Sequence, residues 1–324
     1  MALDVSVMNQ CWWKQTLLHS MAQFGAVIAL VFIIIKFSPL DPVNQFLGGN
    51  VASVSVEQKQ LIAEHLGANQ GYFERLLIWG EDVLLHGGGY SNLYQQSVSD
   101  VIGHYLPHSL ILMGVSWLLI LILGYSFGVV SAYYQDSVVD KWLCRIAWCV
   151  SSIPSFWLGL VFLSLFAIKL QWLPLARLEE GSNIVSLSLV LPLVTLVFTS
   201  IPNIYLHTRE KTVAVLQSDY IQYAKAHQLP FAHLVRFYIF PNSFTPALLL
   251  QLTSLAELIS GSVMIETVFN YPGLGHVFLQ ACLASDVALL AALTCFAAGL
   301  VLMGNLLACF LQYRLMPSCR ANLL

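Results

Sequence analysis

The chain has 324 residues, of which 58% are hydrophobic and only 10% charged, and its formal net charge is -3. A soluble domain carries about 25% charged residues, and charged side chains lie almost entirely on the outside of a protein. The composition, with a mean hydropathy of +0.74, therefore excludes a soluble enzyme and a disordered tail protein. The weakly negative charge gives no electrostatic basis for binding nucleic acid. We expect a chain embedded in a lipid bilayer.

Six apolar stretches are long enough to cross that bilayer. A span needs about 20 residues, since about 30 Å of hydrocarbon is crossed at about 1.5 Å per residue. The first stretch is followed by Ser38 and Pro39 rather than by the small residues of a cleavage site, which indicates an uncleaved anchor. The sequence predicts an all-α polytopic membrane protein with six transmembrane helices. The predicted spans are 16–37, 109–134, 143–168, 185–206, 244–265 and 288–312.

The basic residues orient these spans. With the N-terminus inside, nine of the 14 Lys and Arg residues face the cytoplasm and five face outside. Cytoplasmic loops carry an excess of Lys and Arg, so we expect both termini to be cytoplasmic. The chain then divides into an N-terminus with the first span, an external region, a transmembrane domain of five helices and a tail. Their bounds are 1–37, 38–108, 109–313 and 314–324.

The external region has a helical pattern of its own. Apolar residues such as Leu61, Ile62 and Leu66 recur at near-helical spacing within 56–86, which predicts a helix. The run Gly87-Gly88-Gly89 follows and ends the pattern, because consecutive glycines interrupt helices.

The longest inside connection, 207–243, predicts a first short helix. Ser218 or Asp219 can cap its start, because a side-chain oxygen satisfies a free backbone N–H. The helix is expected to run to about Gln228, since Pro230 follows and proline is common just after a helix end.

A second short helix is expected from Phe231 to Phe240, stopped by Pro241, because proline lacks the N–H that a helix interior requires. Two short helices that expose the small residues Ala224 and Ala226 are typical of a segment that docks into the groove of a partner protein. The residues alone equally allow an amphipathic helix that lies on the lipid headgroups.

This loop resembles the EAA coupling loop of permease subunits of ABC importers, in the branch that imports dipeptides, oligopeptides and nickel. Other segments agree with that branch in the same order, so the resemblance covers roughly 16–313. These segments are 38–43 (SPLDPV), 66–67 (LG), 89–91 (GYS), 106–109 (LPHS), 152–157 (SIPSFW), 171–174 (QWLP) and 266–275 (ETVFNYPGLG).

Three positions depart from the family pattern. Gln228 stands before Leu229 where the family usually has glycine, so the turn there is expected to differ. Leu40 replaces the glycine of Pro-Gly-Asp-Pro after the first span. The Asp-Pro-Arg ending typical of the family is absent, and Leu315-Met316-Pro317 stands in its place.

The resemblance implies a subunit that does not hydrolyse ATP. The chain has no GxxxxGK[ST] phosphate-binding loop, so hydrolysis is assigned to two separate ATP-binding subunits. A second permease subunit, an external substrate-binding protein and a bacterial inner-membrane location are implied as well, and no cofactor is expected. The residues that the resemblance assigns to coupling are Asp219, Tyr220, Ala224, Ala226 and Leu229, with Arg236 and Asn242 positioning the loop.

Glu257 is the one carboxylate clearly inside a predicted span. A charged residue facing lipid costs about 2.5 kcal/mol or more on insertion scales, so we expect Glu257 to face a pathway or a partner. It would there bind a cationic substrate or a cationic part of a peptide. The alternative is a protonated Glu257 that is hydrogen-bonded to a neighbouring helix. The further candidate pathway residues are Ser260, Gly261, Pro154 and Phe156.

The cargo stays open between peptides, including cationic ones, and nickel or a metal chelate. Rival functions are a channel and an intramembrane serine protease, since residues 124–128 read Gly-Tyr-Ser-Phe-Gly and match GxSxG. The same glycines form a GxxxG step, which favours close helix packing. His104 and His108 stand four apart, but Pro107 makes a regular helix there doubtful. The seven scattered cysteines contain no CxxC pair, so we predict neither a metal site nor a disulfide framework.

Overall fold

The structure is a computed structural model that describes residues 55–65, 88–173, 187–284 and 286–315, with scattered positions between 21 and 33. The described part is built almost entirely of helices, and a two-stranded antiparallel hairpin joins Tyr90–Ser91 to Gln96–Ser97. The helices are α1 (Val56–His65), α2 (Val98–Tyr133), α3 (Val138–Ser151), α4 (Ser155–Phe162), α5 (Val190–Leu216), α6 (Asp219–Ala226), α7 (Phe231–Leu234), α8 (Phe240–Thr253), α9 (Leu255–Val268), α10 (Leu274–Leu283) and α11 (Val287–Leu315). Short π-helical stretches, Leu163–Lys169 and Val235–Ile239, extend α4 and precede α8.

Three helices of the described part are long and apolar enough to cross a membrane: α2, the stretch Leu187–Leu216 that contains α5, and α11. Two bent pairs, Val138–Ser151 with Ser155–Lys169 and Val235–Thr253 with Leu255–Val268, raise that number to five if each pair is one span. These five coincide with the second to sixth predicted spans. The first predicted span, 16–37, lies mostly outside the described residues, so the count of six stays a prediction.

Other predicted features also lie outside the described residues. They include the segments 38–43 and 66–67, Pro174 of the QWLP segment, and Leu40. The tail from Met316 onward belongs with them. Of the predicted helix near 56–86, α1 covers the first ten residues.

Two prolines, Pro107 and Pro241, do not interrupt helices as the sequence predicts. Pro107 lies inside the continuous helix α2, and Pro241 lies in the first turn of α8, so the expected helix end at Phe240 is wrong. The π-helical stretch just before Pro241 explains the second case, because its wider turns relieve the clash of the proline ring with a preceding carbonyl. Around Pro107, the buried side chains of Val101 and Leu112 anchor the helix on both sides.

Pro154, in contrast, does break a helix. The axes of Val138–Ser151 and Ser155–Lys169 differ by 99°, so the third predicted span is sharply bent rather than straight. A residue before proline avoids the helical region, which stops α3 ahead of Pro154. The Pro154 carbonyl then accepts the amides of Trp157 and Leu158 and starts α4.

The chain divides into two compact units, 1–109 with 272–302 and 110–271 with 303–324. In the first unit, Asp286 is 1% exposed and holds the hairpin to the start of α11. One carboxylate oxygen of Asp286 accepts the Ser91 hydroxyl at 2.6 Å and the Leu93 amide at 3.1 Å, and the other accepts the Leu289 amide at 3.2 Å. Beside this anchor lies an apolar core formed by Val98, Val101, Val277, Ala281, Leu289 and Leu293.

In the second unit, α2 and α5 approach closely at two glycines. A Cβ atom at Gly124 would lie 2.9 Å from Cγ2 of Ile204, and one at Gly128 would lie 2.7 Å from Cβ of Thr208. The GxxxG step therefore packs two membrane helices. Ser126 between the glycines is exposed, and its hydroxyl donates to the Ile122 carbonyl at 2.6 Å. The GxSxG match is thus a packing motif, and the protease alternative loses its support.

A buried ion pair ties together the ends of three helices. Arg209 of α5 donates to both carboxylate oxygens of Asp140 in α3, each at 2.6 Å. Asp140 is 2% exposed, and it also accepts the Ser131 hydroxyl from the end of α2. The Ser131 hydroxyl lies 2.8 Å from the Tyr205 hydroxyl. A bidentate pair with satisfied oxygens can repay the cost of burying charge.

We predict that Arg209→Met lowers the free energy of unfolding by about 3–5 kcal/mol, because it leaves the buried Asp140 carboxylate uncompensated. The measurement is thermal unfolding of the purified chain in detergent. The double variant Asp140→Asn with Arg209→Met removes both charges and is expected to recover most of the loss. Equal destabilisation by the single and the double variant would contradict this account.

Candidate functional site

The predicted coupling loop folds around its own small apolar core. Ile221 and Ala224 of α6 are 0% and 3% exposed, and they pack with Val215, Leu234 and Ile239 from the flanking segments. The sequence-based expectation that Ala224 is exposed is therefore wrong. Ala224 faces inward because it stands three positions after Ile221 in α6, and residues three apart lie on the same face of a helix.

The opposite face of α6 is exposed and aromatic. Tyr223 is 68% exposed and Tyr220 is 44% exposed, and Ala226 and Asp219 are exposed beside them. The Tyr220 ring stacks on that of Tyr238 at 6.2 Å between centroids. Large aromatic side chains that stay exposed next to a small alanine are typical of a surface that packs against another protein.

The turn after α6 contains Gln228, which stands where the family usually has glycine. The Leu229 amide donates to the Ala224 carbonyl at 3.2 Å, and the Gln228 amide donates to the Lys225 carbonyl at 2.9 Å. These two bonds define a Schellman motif, which requires a left-handed residue after the cap. Gln228 has φ +54°, so it adopts the conformation that glycine favours. The turn thus has the shape that glycine favours, so the expectation of a different turn is wrong, and Leu229 packs on the loop core.

The remaining residues of the loop make local contacts. Asn242 donates from Nδ2 to the Tyr238 carbonyl at 2.8 Å, and the Arg236 guanidinium lies 5.6 Å from the ring centroid of Phe237. Ser218 occupies the N-cap position of α6, but its hydroxyl donates to the carbonyl of Val215, at the end of α5, at 2.5 Å. The cap is therefore set by backbone geometry rather than by the predicted side-chain oxygen.

A second polar feature lies on α9. Glu257 is exposed, and its Oε2 accepts Nδ2 of Asn203 from α5 at 3.2 Å. Ser260 is exposed one turn further along α9. The sequence singled out Glu257 and Ser260 but missed Asn203, which stands 54 positions earlier. A lone asparagine in an apolar stretch gives a weak signal, although polar residues inside spans are costly and often functional.

The other pathway candidates lie elsewhere. Gly261 faces α5, since a Cβ there would lie 3.2 Å from Cδ1 of Leu196. Pro154 marks the bend before α4, and Phe156 is 45% exposed on α4. The contact of α4 with α9 is made through Gly159, whose neighbours are Ile265, Val268 and Phe269, about two turns or more beyond Glu257.

We predict that Gln228→Gly stabilises the loop by up to about 1 kcal/mol, because a non-glycine residue in the left-handed region is strained. Hydrogen exchange of the Leu229 amide measures this directly and is expected to slow. The matched control is Lys225→Gly, an exposed position inside α6, where glycine is expected to cost about 1 kcal/mol. Faster exchange in Gln228→Gly would contradict the strain argument.

Comparison with known proteins places the chain. Residues 124–321 match the family of binding-protein-dependent transport system inner membrane components. The oligopeptide transport system permease protein AppB of Bacillus subtilis is 29% identical, over 91% of this chain and 94% of that protein. A protein of Sinorhizobium fredii named "Probable peptide ABC transporter permease protein" is 30% identical, over 90% of this chain and 93% of its own length.

These findings, together with the apolar helices, confirm the fold class as an all-α polytopic membrane protein and confirm the resemblance to ABC permeases of the peptide class. The number of six spans and the docking role of α6 stay predictions. The chain belongs to the family of binding-protein-dependent transport system inner membrane components.

Proposed function

We propose that this chain is one of two permease subunits of an ATP-driven importer that carries peptides into the cytoplasm. In this proposal it spans the bacterial inner membrane with both termini inside. It works with a second permease, two ATP-binding subunits and an external substrate-binding protein. The observation that carries the proposal is the loop around α6, whose inner face is sealed by its own core while an aromatic face stays exposed.

The architecture of the loop suits the transmission of force. Ile221 and Ala224 are buried against Val215 at the end of α5. A displacement of α6 therefore also displaces α5, which is long and apolar enough to cross the membrane. The exposed face with Tyr220, Tyr223 and Ala226 is left for an ATP-binding subunit. Because Ala224 belongs to the inner face, its expected contribution to coupling is to hold α6 in place.

We predict that Ala226→Glu reduces ATP-driven uptake at least about tenfold, because a buried charge without a partner is strongly disfavoured at a docking surface. The measurement is uptake by proteoliposomes that contain the complete complex. Membrane insertion and protease resistance of the chain are expected to be unchanged. The matched control is Ala214→Glu at an exposed position near the end of α5, ahead of α6. Undiminished uptake in Ala226→Glu would contradict docking through this face.

Peptides are the first choice of cargo because the relatives are named for oligopeptide and peptide transport. Nickel or a metal chelate is the second candidate, which the exposed carboxylate of Glu257 keeps open. Asn203 donates to one oxygen of this carboxylate and so leaves capacity for a cation. An exposed charged group within a span is expected to face the pathway that the two permeases share, since lipid would solvate it poorly.

We predict that Glu257→Gln reduces uptake of a lysine-containing peptide about tenfold and leaves uptake of a neutral dipeptide within about twofold. The physical reason is that the neutral amide loses the attraction to a cationic group, which is worth about 1–3 kcal/mol where water is scarce. Transport of both labelled peptides by the reconstituted complex measures this.

The matched control for that experiment is Glu210→Gln, at an exposed carboxylate on α5. Equal losses for charged and neutral peptides in Glu257→Gln would indicate a structural role for this residue. Nickel uptake that depends on the chain, with no peptide uptake, would favour the second cargo.

A further inference from the structure

A reciprocal pair of side chains holds the bend between α8 and α9. The axes of Val235–Thr253 and Leu255–Val268 differ by 53°, and Ser254 stands between them. The indole N–H of Trp117 in α2 donates to the Gln251 carbonyl at 3.1 Å, and the side-chain amide of Gln251 donates to the Trp117 carbonyl at 3.2 Å. The Ser254 hydroxyl also donates to the Gln251 carbonyl at 3.1 Å.

Such bonds matter most inside a membrane, because hydrocarbon offers no water to a carbonyl at a helix end. Gln251 is 1% exposed, so its polar groups have to be met by protein. Among the described residues, however, no donor reaches its Oε1 atom. The bent arrangement thus carries an unmet acceptor, which costs free energy.

Helix α11 fits closely against the same bend. A Cβ atom at Gly304 would lie 2.8 Å from the Leu252 carbonyl and would also clash with the Leu255 side chain. Only glycine allows this approach. The bend is therefore enclosed by Trp117 on one helix and by Gly304 on another, and the angle at Ser254 depends on both contacts.

We propose that Trp117 and Gln251 form a hinge clamp that passes movement of the coupling loop to the pathway carboxylate, an inference that rests on the proposed function. The helical stretch Val235–Thr253 runs unbroken from the loop for about 25–30 Å and ends at the bend. Glu257 lies in the first turn of α9, directly beyond it. A change of angle at Ser254 therefore displaces Glu257, and the clamp sets which angle is favoured.

The first experiment measures the bend with the clamp intact. Phe240→Cys and Met264→Cys, both at exposed positions on either side of it, carry spin labels in a chain freed of its seven native cysteines. The complete complex is studied in lipid nanodiscs by pulsed electron spin resonance. We expect one distance without nucleotide and a second one with ATP. An unchanged distance in a complex that takes up peptide with ATP overturns the hinge.

The second experiment weakens the clamp. Trp117→Phe keeps a ring but removes the indole donor, and Gln251→Met keeps the volume but removes the amide. We expect ATP hydrolysis within twofold of the unmodified complex, while uptake per ATP falls at least fivefold and the distance without nucleotide broadens. Trp157→Phe, at an exposed tryptophan of α4, is the matched control. It is expected to change neither the uptake per ATP nor the distance without nucleotide.

Two outcomes of the second experiment overturn the inference. Uptake per ATP that is unchanged in both variants shows that the clamp transmits nothing. Hydrolysis and uptake that fall in parallel with the amount of assembled complex show that the pair only supports the fold. If the unmodified complex shows no ATP-dependent uptake at all, the proposed function fails first, and the hinge inference fails with it.

Discussion

Hydrocarbon supplies no hydrogen-bond partners, so every backbone group that is freed where a membrane helix bends has to be met from within the protein. This chain meets the requirement with side chains placed at the bends. At the bend before α4, the Ser152 hydroxyl donates to the Trp148 carbonyl at 2.8 Å. At the bend before α9, the Gln251 carbonyl accepts a hydrogen bond from the indole N–H of Trp117. The bends are consequently defined positions rather than disordered breaks, and each has its own set of partners.

The same principle organises the charged groups of the second unit. Asp140 and Arg209 are paired through two bonds and joined by Ser131. The charges are therefore neutralised where α2 ends and α3 begins, beside the last two turns of α5. Glu257, in contrast, is exposed and shares only one described bond, with Asn203. A satisfied pair serves the fold, whereas a partly satisfied carboxylate is available to a ligand or a partner. The contrast supports assigning Glu257, and not Asp140, to the pathway.

The predicted coupling loop combines a buried face and an exposed face in a short segment. Its inner face closes on Val215 and so belongs mechanically to α5, while Tyr223 remains exposed. Its last turn depends on the left-handed conformation of Gln228. In the proposed function, a surface that is held rigidly from behind transmits force better than a flexible loop. From there, the unbroken helix to Thr253 leads directly to the bend beside Glu257.

The sequence by itself determined the membrane class, the apolar helices that overlap five of the predicted spans, and the first short helix of the predicted coupling loop. These rest on composition, on apolar run length and on the position of Pro230 after the helix, all of which the sequence shows directly. It misjudged three positions for different reasons. Buried residues on both sides hold the helix through Pro107, and a π-helical stretch accommodates Pro241. Ala224 is buried by the flanking segments of its own loop. Only the tertiary structure decided the pairing of Asn203 with Glu257 and that of Trp117 with Gln251, the latter 134 positions apart. Contacts between residues so far apart leave no periodic pattern in the chain, and they exist only once the helices have packed.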